Sequence, residues 1–203
     1  MRGELPDDYE AVLTSQFERA FSGAHGDVFV DAGAHCGTWT LRLAHCFRHV
    51  VAFEPHPDNY ETLSLDAPSN VTSAKLGLSR VSGKGALFLY DSPGHSAIGG
   101  SPVMDGIACT GQIEITTMAL DEWFLPGRLD LLKIDTEGHE MEVLEGARET
   151  LRRDRPRLCI ENHSLELRRR AIEFLSSIGL SDVNIWPEES KRHPMESGYL
   201  LRF

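Results

Sequence analysis

The chain has 203 residues, 41% of them apolar, enough to bury one sizeable core, and it reads as a single domain over 1–203. Its 31 acidic and 20 basic residues give a formal charge of −11 spread along the sequence, which disfavours nucleic acid polymers and anionic membranes as partners. The opening "MRGELPDDYEAVLTSQFERAF" carries no apolar signal region, and nothing later approaches the roughly 18 apolar residues of a membrane span. Cys36, Cys46, Cys109 and Cys159 show no paired spacing, so the expectation is a soluble cytoplasmic protein with reduced thiols.

Tyr9 to Phe21 places Val12, Phe17 and Phe21 at helical spacing, a helical extension within residues 1–26. Strands are expected at Asp27–Val30, Val50–Phe53 and Val71–Leu76, with helices at Thr38–Phe47 and Pro57–Leu65 between them. Nearly continuous apolar strands that alternate with helices point to a Rossmann-like α/β fold, a mostly parallel sheet covered on both faces. Beyond the turn "SRVSGKG", short strands are expected at Ala86–Tyr90 and Ile113–Thr117. Between them Asp91–Gly111 holds five glycines and two prolines and reads as a lid or acceptor loop.

A helical turn at Ala119–Phe124 leads into the strand "LDLLKID" (Leu129–Asp135), a helix over His139–Arg152 and the strand "RLCIEN" (Arg157–Asn162). The basic stretch "RETLRRDRPR" reads as a solvated helix end. Last come a helix at Leu165–Ile178 closed by Gly179 and strands at Val183–Trp186 and Tyr199–Phe203. The turn-rich "PEESKRHPMESG" between those strands makes them an antiparallel hairpin at the sheet edge.

The stretch "VFVDAGAHCGTWTLRLA" has the strand, turn and helix of a nucleotide-binding unit, but it is a poor dinucleotide fingerprint. Aligned on Gly33, Asp31 stands where the first glycine belongs and Cys36 where the third belongs. A carboxylate there repels a pyrophosphate and suits a cation. S-adenosylmethionine, with an ammonium and a sulfonium and no phosphate, is such a ligand. Asp31 would hold its methionyl end while Gly33 and Gly37 let the backbone approach, with His35 and Thr38 in the same turn. Glu54, 23 positions after Asp31 and ending the next strand, stands where a carboxylate accepts from two ribose hydroxyls. A NAD-dependent oxidoreductase and a non-catalytic S-adenosylmethionine-binding protein are the alternative readings.

"FVDAGAHCGTWTLRLA", "VVAFEPHPDNYETL", "LGLSRVSGKGALFLY", "TTMALDEWF", "LDLLKIDTEGHEMEVLEGA" and "PRLCIENH", in that order, resemble the FkbM family of S-adenosylmethionine-dependent methyltransferases. The resemblance covers roughly Val28 to His163, and its most specific element is the K-I-D-x-E-G block at Lys133–Gly138. It implies a seven-stranded class I methyltransferase sheet with a C-terminal antiparallel hairpin, helices on both faces, and methyl transfer to a hydroxyl oxygen, usually of a sugar or natural product. Little sequence precedes the first strand, which leaves the acceptor open and makes a homo-oligomer one way to complete the cleft.

Strand ends deliver Asp31, Glu54, Asp135 and Glu161 to one edge of the sheet. Methyl transfer to an alcohol needs a general base or a metal ion to remove the proton. His163 is the first choice of base and His139 the second, with His95 in the glycine-rich segment a third. In the competing metal reading, Asp135, Glu161 and Asn162 hold Mg²⁺ or Ca²⁺. Lys133, on an apolar strand, is expected to pair with Glu137 or Glu161, and Glu137 with Gly138 to form the turn into the next helix. Leu78 and Ser79 are the expected adenine contacts.

Overall fold

The computed structural model describes residues 25–202 apart from 66, 92–95, 100–102, 105–106, 163 and 187–197. The helix expected at Tyr9–Phe21, two of the candidate bases (His95 and His163) and most of the last turn lie outside the described residues.

Strands β1 (Gly26–Ala32), β2 (Phe47–Phe53), β3 (Val71–Ala74), β4 (Gly77–Leu78), β5 (Gly83–Tyr90), β6 (Ser96–Ile98), β7 (Val103–Met104), β8 (Ile107–Met118), β9 (Leu129–Ile134), β10 (Arg157–Asn162), β11 (Asn184–Trp186) and β12 (Gly198–Arg202) follow in chain order. The helices are α1 (Thr38–Leu43), α2 (Pro57–Leu65), α3 (Glu140–Gly146), α4 (Arg148–Asp154) and α5 (Leu165–Ser177). Among the described residues the main sheet has seven strands in the order β11-β12-β10-β9-β1-β2-β3. The β3, β2, β1, β9 and β10 neighbours pair in parallel, while β12 runs antiparallel between β10 and β11.

Period-2 alternation divides the strand side chains between two covered faces. Val28, Val30, Ala32, Leu132, Ile134, Leu158 and Ile160 face α3, α4 and α5, in one core with Val143, Leu144, Leu151, Ala171 and Leu175. Phe29, Val50, Leu131 and Cys159 face the other way and pack with Leu43, Ala44 and Phe47, while Ala52 meets Leu63 of α2. Burial on both sides is why these strands are apolar at nearly every position.

The stretch expected as one helix over His139–Arg152 is two, broken at Ala147, whose φ of −109° and ψ of 7° leave the helical range. The short strands expected at Ala86–Tyr90 and Ile113–Thr117 are the C-terminal parts of longer ones, β5 and β8, which pair antiparallel in a second sheet ordered β4-β8-β5-β6. That sheet draws β6, β7 and the start of β8 from within Asp91–Gly111, the segment read as a lid or acceptor loop. Glycines and prolines there mask the strand signal, since strand content rests on cross-strand pairing rather than on local propensity. The final hairpin forms where expected: β11 pairs β12 at the sheet edge, with Trp186 opposite Tyr199.

Candidate cofactor and active site

The parallel strands end together, and β1, β2, β9 and β10 deliver Asp31, Glu54, Asp135 and Glu161 to the same edge. In register across the sheet, one row of side chains reads Ala52, Asp31, Lys133, Cys159 and Leu201. Two residues further along β10 and β12, and so on the same face, Glu161 stands opposite Tyr199, with Asp135 just past the end of β9.

Asp31 is fully buried. Its Oδ2 accepts the Thr40 hydroxyl at 2.7 Å, and its Oδ1 lies 3.2 Å from Lys133 Nζ. Lys133, 4% exposed, also pairs with Asp135 Oδ2 at 3.2 Å and donates to the Gly33 carbonyl at 3.1 Å. Burial works against its charge, but Asp135 and Asp31 outweigh burial and push the ammonium pKa up. The partners expected for Lys133, Glu137 and Glu161, are therefore replaced by Asp31 and Asp135. In-register pairing of β1 with β9 sets Asp31 beside the lysine, whereas Glu137 lies beyond the strand in the following turn.

The turn after β1 is closed by Gly33 N and Ala34 N, which both donate to Phe53 O, and by Gly37 N, which donates to Ala34 O. Gly33 has φ +76°, and a Cβ there would lie 1.8 Å from the Asp135 carbonyl oxygen. No side chain fits that approach. Gly37, at φ +92°, opens α1 over Leu63. His35, itself at positive φ, donates its backbone N–H to Glu54 Oε2 at 2.8 Å, and His56 N donates to Glu54 Oε1 at 2.8 Å. Burial pushes the Glu54 carboxyl above its ordinary value of 4.5, against the pull of the two N–H groups. The Asn59 side chain also hydrogen-bonds to this carboxylate, whose remaining acceptor capacity fits a ribose hydroxyl presented to it. The side chains of His35 and Thr38 are exposed at the rim of the turn.

At the adenine end the structure separates the two expected residues. Leu78 is 2% exposed and belongs to the main core, while Ser79 is half-buried with its Oγ 3.0 Å from His139 Nε2. His139 Nδ1 lies 3.7 Å from Glu142. Burial, opposed by Glu142 and helped by Arg80, lowers the His139 pKa below its ordinary value of 6.5. His139 thus sits with Ser79, and the acid that shapes its turn is Glu140, whose Oε1 accepts from Thr136 N, Thr136 Oγ1 and Gly138 N.

The metal reading does not assemble. Glu161 and Asn162 are consecutive in β10 and project to opposite faces. Asn162 is fully buried and its Nδ2 donates to Ile160 O at 3.1 Å. Among the described residues no group of three His, Cys, Asp or Glu side chains could hold a metal ion. Glu161 instead accepts the Tyr199 hydroxyl, and burial together with the Glu161 and Asp135 charges pushes that phenol's pKa up.

Sequence reasoning missed Thr40, Glu140 and Tyr199. Thr40 was legible as a polar residue one turn into α1 on the side facing Asp31. Glu140 and Tyr199 gave no local signal, because their partners are set by a turn and by strand register. The four cysteines are free, and Cys159 is buried with its thiol pKa raised by burial. At the opposite edge of the sheet a groove of about 460 Å³ is lined by Trp123, Phe124, Arg128, Arg153 and Asp154. Its Arg128 and Arg153 are tied to Asp154, and it lies away from the acidic row. No helix among the described residues is long and apolar enough to cross a membrane.

Strand order, the glycine turn after the first strand and acidic residues at successive strand ends define a class I methyltransferase fold. The chain belongs to the methyltransferase FkbM domain family, whose sequence profile matches residues 31–181. It is 32% identical over 126 residues to the hexuronic acid methyltransferase AglP of Haloferax volcanii, an alignment of 59% of this chain and 49% of that protein. It is 29% identical over 141 residues to methyltransferase 1 of Beauveria bassiana, covering 58% of this chain and 57% of that one. The chain thus spans about half the length of these curated relatives. The crystal structure of methyltransferase FkbM from Methylobacillus flagellatus superposes with a TM-score of 0.59 over 87% of this chain and 44% of that chain, at 19% identity, a likeness of fold alone.

Proposed function

We propose that the protein is an S-adenosylmethionine-dependent O-methyltransferase that methylates a hydroxyl of a small molecule, whether a sugar, a nucleoside or a natural product. The observation that carries this reading is the Gly33 turn flanked by Asp31, Lys133 and Asp135, with Glu54 at the next strand end. Two carboxylates against one ammonium leave that row with one net negative charge, which suits a cationic cofactor and opposes a pyrophosphate. When bound, S-adenosylmethionine supplies an electrophilic methyl on sulfur, which leaves as a neutral thioether.

Glu54 would accept the ribose hydroxyls, and Ser79, held by His139, would border the adenine. Holding the acceptor oxygen in line with the methyl group supplies much of the acceleration. As the oxygen–carbon bond forms, the hydroxyl proton must go to a base. Asp135 and Glu161 share the edge at which it would leave, with Tyr199 orienting the Glu161 carboxylate, and His163 stays in the proposal from its place after β10. The name of the Haloferax relative supports a sugar-derived acceptor. A single domain over 1–203, closure of residues 91–111 over the acceptor, completion of the cleft by a second copy and a cytoplasmic setting belong to the same proposal.

The test is transfer of labelled methyl from S-adenosylmethionine to a panel of sugars, nucleosides and hydroxylated natural products. The expected product is an alkali-stable methyl ether. Label released as methanol by mild alkali would mean carboxyl esterification and overturn transfer to a hydroxyl. Tight cofactor binding without transfer to any acceptor would favour a non-catalytic binding protein.

A further inference from the structure

We propose that the groove lined by Trp123, Phe124, Arg128 and Arg153 is a second binding site, one that takes an acidic saccharide. Arg128 immediately precedes β9, and Gly127 packs against Asp27 near the start of β1. The groove therefore lies at the amino ends of the strands, across the sheet from Asp31 and Asp135, and does not depend on the cofactor reading.

Its walls are fixed. Trp123 and Leu125 both pack on the main core, and Trp123 meets the Phe53 ring edge to face at 5.1 Å. On one side of them Ala119 N donates to Ser82 Oγ at 3.2 Å; on the other, Arg128 donates through Nε and Nη2 to the Asp154 carbonyl at 3.3 and 3.1 Å. Between these anchors the Phe124 side chain is 86% exposed. A ring held out in water by anchored neighbours, over a groove of about 460 Å³, presents a flat apolar face in a space of ligand size.

The polar lining selects what the ligand carries. Arg153 holds the Asp154 carboxylate through Nε and Nη2 at 2.7 and 2.8 Å, which leaves its Nη1 for a ligand. Arg128 sits on a carbonyl, a neutral acceptor, and reaches the Asp130 carboxylate only at 3.7 Å. Both arginine side chains are 61% exposed. Residues 148–157, which supply Arg153, hold five arginines against two acids in a chain of formal charge −11. Guanidinium forks of this kind match a carboxylate.

Asp121, also in the lining, accepts from Glu149 N and Thr150 N at 2.9 and 2.8 Å and keeps lone pairs for hydroxyl donors. A sugar acid meets all three features: its C–H face lies on Phe124, its carboxylate on Arg128 and Arg153, and its hydroxyls on Asp121. A protein partner needs about 800 Å² of surface on each side, which one exposed aromatic and two arginines do not supply.

The probes are galacturonic acid trimer, the neutral galactose trimer and a hexaglutamate peptide, titrated into the full chain by calorimetry with tryptophan emission as a second readout of the groove. The acidic trimer is expected to bind with a Kd of about 1 mM or tighter, and the neutral trimer and the peptide at least about tenfold more weakly. Phe124→Ala should weaken the acidic trimer about tenfold without lowering the thermal unfolding midpoint, because the ring it removes is exposed, and Phe124→Trp should keep the affinity. Arg153→Lys retains a cation for Asp154 but lacks the third nitrogen, and should weaken the acidic trimer alone. Failure of the acidic trimer to bind, equal affinity for the two trimers, or binding unchanged by Phe124→Ala would overturn the proposal. Hexaglutamate binding as tightly as the acidic trimer would also overturn it, making the groove a site for acidic peptides.

Discussion

Lys133 Nζ lies 3.2 Å from Asp31 Oδ1, on the neighbouring strand and out of reach of solvent. Removing one partner of a buried pair leaves the other charge uncompensated, which is destabilising by about 3–5 kcal/mol. Lys133→Met should therefore lower unfolding stability by that order in urea melts at pH 7. A Lys133→Met, Asp31→Asn double variant should be more stable than Lys133→Met alone.

Gly33→Ala should be worse for ligand binding than a similar change at Gly37. At Gly33 the added carbon meets a backbone oxygen at 1.8 Å, whereas at Gly37 it meets the end of the Leu63 side chain at 2.6 Å, which can swing away. Both positions have positive φ, worth roughly 1–2 kcal/mol against any L side chain. Thermal unfolding and S-adenosylhomocysteine titration of the two variants check the ranking, with Gly33→Ala expected to lose measurable binding.

The Glu54 carboxyl gives a pH signature. Its folded pKa is raised by burial, so its contribution to stability is fully present below 4.5 and is lost as pH rises through the folded value. Ribose hydroxyls donate to the ionised form and pull that pKa back down. Affinity for S-adenosylhomocysteine should therefore fall as pH is lowered toward 4.5, with proton release on binding in that range. Titration in buffers of different ionisation enthalpy measures that release, and a binding enthalpy independent of buffer would contradict it.

His139 has the opposite sign. Burial lowers its folded pKa below 6.5, so the stability it contributes is present above pH 6.5 and lost as pH falls through the folded value. Urea melts between pH 5 and 7.5 should show this slope in wild type and a flatter profile in His139→Gln. An identical slope in the variant would assign the titration to another group.

The five parallel strands of the main sheet were legible because burial on both faces writes an almost unbroken apolar run into each, as in "VFVDA" and "LDLLKI". Glu54 and Asp135 were legible because a strand end that bears an acid interrupts such a run. The second sheet was legible only at Ala86–Tyr90 and Ile113–Thr117; its other strands were not, since Gly83, Gly85, Gly99 and Gly111 dilute the local strand pattern that cross-strand pairing then imposes. Nor were the partners of Lys133 and Glu161, which depend on strand register. That lysine had to be paired followed from burial alone; which carboxylates would pair with it needed the β1–β9 alignment.

The central claim is that the turn at Gly33 holds S-adenosylmethionine and not a dinucleotide. Calorimetric titration of the purified protein with S-adenosylhomocysteine, with NAD in parallel and magnesium present or absent, tests it most directly. The account predicts tight binding of S-adenosylhomocysteine, unchanged by magnesium, and none of NAD. Binding of NAD, or of neither ligand, would contradict it.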